Sequence, residues 1–242
     1  MLYENIECII PFRFTSKDRL DNLNCVLFYF SKYFPDIKIT ICEQDVNNKI
    51  KLDNVMFLYN DKPFNKGWGI NCSSKVSKKD YLLFWDADMI ILPEYLEESI
   101  KLFDNFDIIK PYYYDKVYDV TNFSSMMFRN NLEFTYLENS RYRAYCPYTG
   151  GIFGIKKQLF LDIGGFFEDF EGWGCEDEAF FYKIKNMKYT QTDNKSYHLY
   201  HIRQDFDRAN HMLYNKNINV LENIDKVDFN KDIIGNALKY KT

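Results

Sequence analysis

The sequence predicts an α/β protein: a mixed central sheet flanked by helices. Three observations lead there. Short apolar runs alternate with longer amphipathic stretches along most of the chain, the pattern of strands joined by helical crossovers. The runs are bounded by proline, glycine and capping residues. And 242 residues with 46% apolar composition suffice for one sizeable core.

Ile6 to Phe12 reads as a buried strand. Thr-Ser-Lys-Asp follows, and Ser16 is placed to cap a helix to Tyr33. Ile37 to Cys42 and Val55 to Tyr59 read as strands, and Asn65 to Val76 as a helix containing Gly-Trp-Gly. Tyr81 to Trp85 is a further strand that runs straight into Asp86-Ala87-Asp88. Pro93 opens a helix to about Phe103, because proline suits the first helical turn. Ile108 to Lys110 is a short strand. From Pro111 to Tyr148 the periodicity is lost, and irregular strands and loops over a binding face are expected. Gly150 to Ile155 restores a strand, Lys156 to Asp162 a helix, and Glu176 to Met187 a helix whose first turn holds three acids. A last helix is expected over Asp207 to Leu221, with a loose polar tail from about residue 224 to 242. No linker or repeat divides the chain, so residues 1–242 are expected to form a single domain.

The net charge of −4 and the absence of a long basic block disfavour nucleic-acid binding. Six scattered cysteines without a CxxC pair disfavour a zinc knuckle and a disulfide scaffold, and fit a reducing compartment. No run approaches the ~18 apolar residues of a membrane span, and the N-terminus lacks a basic, then apolar, leader pattern. A cytoplasmic setting, the protein's own or a host cell's, is expected.

Three constellations carry chemistry. In LLFWDADMIILP, Asp86 and Asp88 stand at the end of an apolar strand, where open α/β sheets collect ligands. Both can face one hard cation such as Mn²⁺ or Mg²⁺. Two solvated acids on a strand-end turn is the plainer reading, but acids inside an apolar run are costly unless used. In SYHLYHIRQDFDR, His198 and His201 are spaced to share an ion, or are a chance pair. In EGWGCEDEAFFYKI, acids at a helix start favour the dipole at ~0.3–1 kcal/mol each. That does not explain Gly172-Trp173-Gly174 before them. Glycines admit a close ligand, an indole offers a sugar an apolar face, and a neighbouring carboxylate can take a hydroxyl proton.

These residues resemble a family. IIPFRFTSKDRL, FNKGWGIN, WDADMIILP and GGIFGIKKQLFLDIGGFFEDFEGWGCEDEAFFYKI are similar, in this order, to the conserved blocks of the beta-1,4-galactosyltransferases. More loosely they resemble chondroitin-polymerase-type enzymes and polypeptide N-acetylgalactosaminyltransferases. The resemblance runs from about Ile9 to His201 and implies a GT-A, Rossmann-like nucleotide-sugar-binding fold. It implies a UDP-sugar donor, galactose or N-acetylgalactosamine, Mn²⁺ as cofactor, a glycan or glycoside acceptor, and transfer with inversion.

By the same resemblance, Pro11, Phe12 and Arg13 hold the uridine diphosphate and Asp86 contacts the donor. Asp88, His198 and His201 bind the metal, and Trp173 lies against sugar and phosphate. Glu176 holds sugar hydroxyls, and Asp177 is the catalytic base. Tyr148 and Gly151, around the T-G-G stretch, lie beside the sugars, Tyr148 inclining the donor toward galactose. Cys175 departs from the family's glycine. The polar segment His198–Asp207 is expected to close over the donor as a lid. A sugar nucleotidyltransferase and a sugar- or nucleotide-binding module without catalysis are the alternatives. The first lacks its Gly-rich basic loop here, and the second leaves the intact acids and histidines without a use.

Overall fold

A computed structural model describes residues 2–143, 148–202, 212–224 and 234–241. The elements, in order, are β1 (Ile6–Phe12), α1 (Lys17–Tyr33), β2 (Lys38–Asp45), β3 (Val55–Tyr59), α2 (Lys66–Val76), β4 (Tyr81–Trp85), β5 (Met89–Ile90) and α3 (Pro93–Lys101). There follow β6 (Ile108–Lys110), β7 (Val117–Asp119), α4 (Asn122–Asn131), β8 (Arg141–Tyr142), β9 (Ile152–Lys156), α5 (Lys157–Asp162), α6 (Glu176–Ile184), β10 (Tyr189–Gln191), β11 (Ser196–His198) and α7 (Met212–Glu222).

The main sheet has the order β10-β6-β9-β4-β1-β2-β3. Its β3-β2-β1-β4 half is parallel, and β9 runs antiparallel between β4 and β6. Chain order therefore reverses between β1 and β4, and the crevice beyond their carboxyl ends is the ligand position of an open α/β sheet. The register widens that crevice. β1 pairs with β4 only as far as Ile9, but with β2 as far as Phe12. Pro11, which has no N–H to donate, thus falls where β1 has lost its β4 neighbour.

A smaller sheet, β5-β11-β7-β8, stands beside the crevice. Its register lays Met89, His198, Asp119 and Arg141 side by side across the four strands.

One core cluster joins α1 to the sheet, with Tyr29 and Phe30 against Trp85. A second lies under α5 and α6, where Phe166 stacks on Phe180 at 4.1 Å. No described helix is long and apolar enough to cross a membrane. The five described cysteines are buried thiols.

Most expected elements appear within a residue or two of their expected bounds. Two expectations are corrected. The 111–148 stretch is not all strand and loop: it contains α4, capped by Thr121, whose hydroxyl accepts from the Ser124 N–H. The tail is not loose over residues 234–241. The Trp68 indole N–H donates to the Asn236 carbonyl at 2.8 Å, and Tyr240 packs edge-on against the same ring. A buried indole needs an acceptor, and the tail supplies it. The expected last helix is described from Met212 onward; its first residues, His211 and residues 203–207 of the expected lid lie outside the described residues.

Candidate active site

Several chain segments build the crevice, four of them around its acids and cations. Arg13 follows β1, Lys66 begins α2, Asp86 and Asp88 follow β4, and the loop 171–175 leads into α6. Three of these are strand ends or helix starts, so rigid elements aim the side chains.

Asp88, His198 and His201 converge. One ligand atom from each lies within 4.8 Å of the others. Asp88 Oδ1 is 3.7 Å from His198 Nε2, and Asp88 Oδ2 is 3.3 Å from His201 Nε2. Burial works against ionisation of Asp88, but the two histidines and Arg19 outweigh it and hold the carboxyl well below its usual range. Burial pushes His198 down, toward the neutral form that can ligate. The Leu199 N–H donates to the Asp88 carbonyl at 2.7 Å and ties the two segments together. One carboxylate oxygen and two imidazole nitrogens form a mixed oxygen–nitrogen donor set that can hold a first-row divalent cation, and Mn²⁺, the metal that the resemblance implies, is within that range.

A second cluster lies beside it. Lys66 Nζ is 3.1 Å from Asp86 Oδ1, 3.1 Å from Asp177 Oδ1 and 3.8 Å from Glu176 Oε1. Lys66 lies within the FNKGWGIN block, but sequence reasoning assigns it no role. Burial opposes its charge, but Asp177, Asp86 and Glu176 outweigh burial and raise its pKa. Burial raises Asp177 well above a usual aspartate, against the pull of Lys66 and with help from Glu176 and Asp86. Glu176 is also raised, chiefly by burial.

The loop before α6 is held from two sides. The Gly172 N–H donates to the Phe64 carbonyl at 2.7 Å. The buried Asn217 amide on α7 donates to the carbonyls of Glu171 and Gly174, each at 3.0 Å. Trp173 between them is 44% exposed and stacks on Tyr214 at 5.5 Å. Its exposed side can receive a ligand. Cys175, where the resembling family has glycine, adopts φ 73°, a left-handed conformation that favours glycine. Between Asp169 and α7 a groove of about 790 Å³ opens, lined also by Asn215, Lys216 and Asn219.

The remaining expected residues lie around the crevice as follows. Pro11 and Phe12 are buried within β1. Arg13 lies at its edge, but its guanidinium donates to the carbonyls of Gln44, Lys62 and Asn60. Tyr148 packs its ring against Phe181 and Tyr189, and its hydroxyl donates to the Thr190 carbonyl at 2.7 Å. The galactose preference attached to Tyr148 is not carried by this geometry. Gly151 is in the crevice wall: its carbonyl accepts from the Asp86 N–H at 2.9 Å.

Comparison with known proteins agrees with the fold. The fold is the GT-A fold of nucleotide-sugar transferases. Residues 36–164, over half of the chain, match the model of glycosyl transferase family 2, and the chain belongs to that family. Residues 134–205 match the model described as the N-terminal domain of galactosyltransferase.

Beta-1,4-galactosyltransferase 2 of Cricetulus griseus is 37% identical over 68 residues, 27% of this chain and 18% of that protein. The mouse protein of the same name matches equally. The match thus spans less than a fifth of these relatives. Among solved structures, a mutant Drosophila beta-1,4-galactosyltransferase 7 in complex with manganese, UDP-Gal and xylobiose superposes with TM-score 0.52 at 16% identity, covering 84% of this chain and 77% of that one. Glucosyl-3-phosphoglycerate synthase of Mycobacterium tuberculosis, in complex with Mn²⁺, UDP and phosphoglyceric acid, gives TM-score 0.57 at 12% identity, covering 93% and 79%. At these identities the likeness is one of fold.

Proposed function

We propose that the chain is a metal-dependent, inverting glycosyltransferase that moves a hexose, galactose or N-acetylgalactosamine, from a UDP-sugar to a sugar hydroxyl. One observation carries the reading. A cation-ligating cluster, Asp88-His198-His201, and a buried acid cluster, Asp86-Glu176-Asp177, flank one crevice at the switch point of a nucleotide-sugar-type sheet. The complexes named for the two structural neighbours, with manganese and UDP-Gal or UDP, support the same reading.

Asp88, His198 and His201 would hold the cation. When bound, it supplies positive charge for the diphosphate and so favours departure of UDP. Arg13, at the end of β1, orders the 60–62 turn beside the nucleotide position. Asp86 faces the donor sugar, and Trp173 offers its exposed face to a sugar ring. Asp177 accepts the proton of the acceptor hydroxyl. The acceptor oxygen then forms the new bond to the anomeric carbon as the bond from that carbon to the phosphate oxygen breaks, with inversion. A raised carboxylate pKa suits this role, since a base works best when its pKa lies near the working pH. Glu176, beside it, holds a sugar hydroxyl. The cytoplasmic setting belongs to the same proposal.

The test is UDP binding with and without Mn²⁺, followed by an acceptor screen with the two UDP-sugars. Mn²⁺-dependent binding and transfer of one hexose to a glycoside is expected. Metal-independent binding without any transfer would point instead to a binding module.

A further inference from the structure

We propose that Asp119 is the positioning residue of the cation cluster: it fixes the ring orientation and tautomer of His198 so that Nε2, and not Nδ1, faces the cation. The inference rests on the metal-centre reading given above.

Both imidazoles in the cluster turn Nε2 toward Asp88. A ring does so with a lone pair on Nε2 only if its proton sits on Nδ1, and that proton needs an acceptor. His201 has one in the Ile202 carbonyl, 3.2 Å from its Nδ1. For His198 the acceptor is a side chain: Asp119 Oδ1 lies 3.2 Å from its Nδ1. The contact is built into the sheet. β7 and β11 pair in parallel with His198 directly opposite Asp119, so the two side chains leave the same face of the ladder. Asp119 is itself held. Arg143, just beyond β8, donates to its Oδ1 through Nε at 3.1 Å and through Nη2, and the Arg143 N–H anchors to the Val117 carbonyl at 2.8 Å. The line Arg143–Asp119–His198–Asp88 thus runs from the outer strand to the crevice.

A carboxylate on the far nitrogen of a ligating histidine also makes that ligand more basic, and losing such a partner typically costs ~10- to 100-fold in metal affinity. The geometry further separates the two histidines. The His201 orientation depends on backbone and survives any side-chain substitution at Asp119, whereas that of His198 does not.

Two readouts test this. The first is ¹⁵N-detected NMR of the histidine rings in metal-free protein. Wild type is expected to show His198 protonated on Nδ1, and Asp119→Ala to move the proton largely to Nε2, with His201 unchanged. Asp119→Asn keeps an acceptor oxygen and should retain the wild-type tautomer. The second is Mn²⁺ titration in the presence of UDP, read from the EPR signal of free Mn²⁺. Asp119→Ala should bind Mn²⁺ about 10- to 100-fold more weakly, and Asp119→Asn should recover most of that loss. If Asp119→Ala does not fold, Asp119→Ser, too short to reach the ring, takes its place. Wild-type affinity and an unchanged His198 tautomer in the shortened variants would overturn the role of Asp119 while leaving the metal centre standing. Failure of wild-type protein to bind Mn²⁺ with UDP would overturn the metal centre itself, and this inference with it.

Discussion

Lys66 Nζ lies 3.1 Å from Asp177 Oδ1 and 3.1 Å from Asp86 Oδ1, so one buried ammonium joins the start of α2 to the end of β4 and the start of α6. It is the counter-charge that lets three carboxylates share a water-poor crevice. Lys66→Met should leave Asp177 to burial and to Glu176 and Asp86, all of which raise it further. The acid limb of the pH–rate profile should move to higher pH. Turnover at a fixed acidic pH should then fall about tenfold for each pH unit that the limb moves. Lys66→Arg should keep the wild-type profile more closely. An unchanged acid limb in Lys66→Met would show that the lysine does not govern the base.

Asp177→Asn removes the proposed proton acceptor with almost no change of shape. Turnover should fall by about 10²–10⁴-fold. Mn²⁺-dependent UDP affinity should stay near wild type, because Asp177 is not one of the three residues placed to hold a cation. In wild type, activity should be lost as pH falls through a pKa above that of an ordinary aspartate, since the base must be ionised to work. Steady-state rates across pH, beside UDP titrations, check both.

Asp88→Ala should abolish the Mn²⁺ dependence of UDP binding, because its carboxylate touches both imidazoles. Calorimetric titration of UDP with Mn²⁺ and with chelator should then give the same weak affinity. A persistent difference between the two would take Asp88 out of the metal site.

Gly151 has φ +79°, and a Cβ there would run into the Tyr112 hydroxyl. That hydroxyl is committed: it donates to the Gly150 carbonyl at 2.9 Å and accepts from the Ile152 N–H at 3.2 Å. Gly151→Ala should cost about 1–3 kcal/mol and disturb Asp86 through the backbone bond they share. Denaturant unfolding measures the first effect and donor affinity the second.

Glu7 tests the scaffold away from the site. It is buried and accepts from Lys38 at 2.7 Å, Thr40 at 2.6 Å and Ser77 at 2.6 Å, linking β1, β2 and the end of α2. Burial alone would raise its pKa, but these partners lower it. Its stabilisation is therefore present above the ordinary glutamate pKa and is lost as pH falls through the lowered native value. Glu7→Gln should cost about 1.5–3 kcal/mol at neutral pH, and the gap to wild type should close in acid. Urea unfolding at several pH values shows whether it does.

Much of the fold was legible because its strands are apolar runs with clear punctuation. LLFWDAD showed both a core strand and the acids at its end, and EGWGCEDE showed a helix start that dipole chemistry alone did not explain. What stayed hidden depends on pairing across the chain. Lys66 stood inside the quoted FNKGWGIN block, but its use emerges only when α2 packs its first turn against acids more than a hundred residues later. Asp119 sits in the stretch without periodicity, and only the parallel pairing of β7 with β11 puts it beside His198. α4 escaped because its apolar pattern misleads: Phe123 and Met126 are exposed while Ser125 is buried. Arg13 was visible as a cation at a strand end, but its carbonyl partners lie in β2 (Gln44) and in the turn after β3 (Asn60 and Lys62), which sequence does not bring near.

The central claim is that one crevice holds both a cation centre and a glycosyl-transfer site. UDP release from UDP-galactose, UDP-N-acetylgalactosamine and other UDP-sugars, without acceptor, with Mn²⁺ or with chelator, tests it most directly. Slow, selective hydrolysis of one of the two named donors, lost with chelator, is the predicted result. No release from any UDP-sugar, together with UDP binding that ignores Mn²⁺, would contradict it.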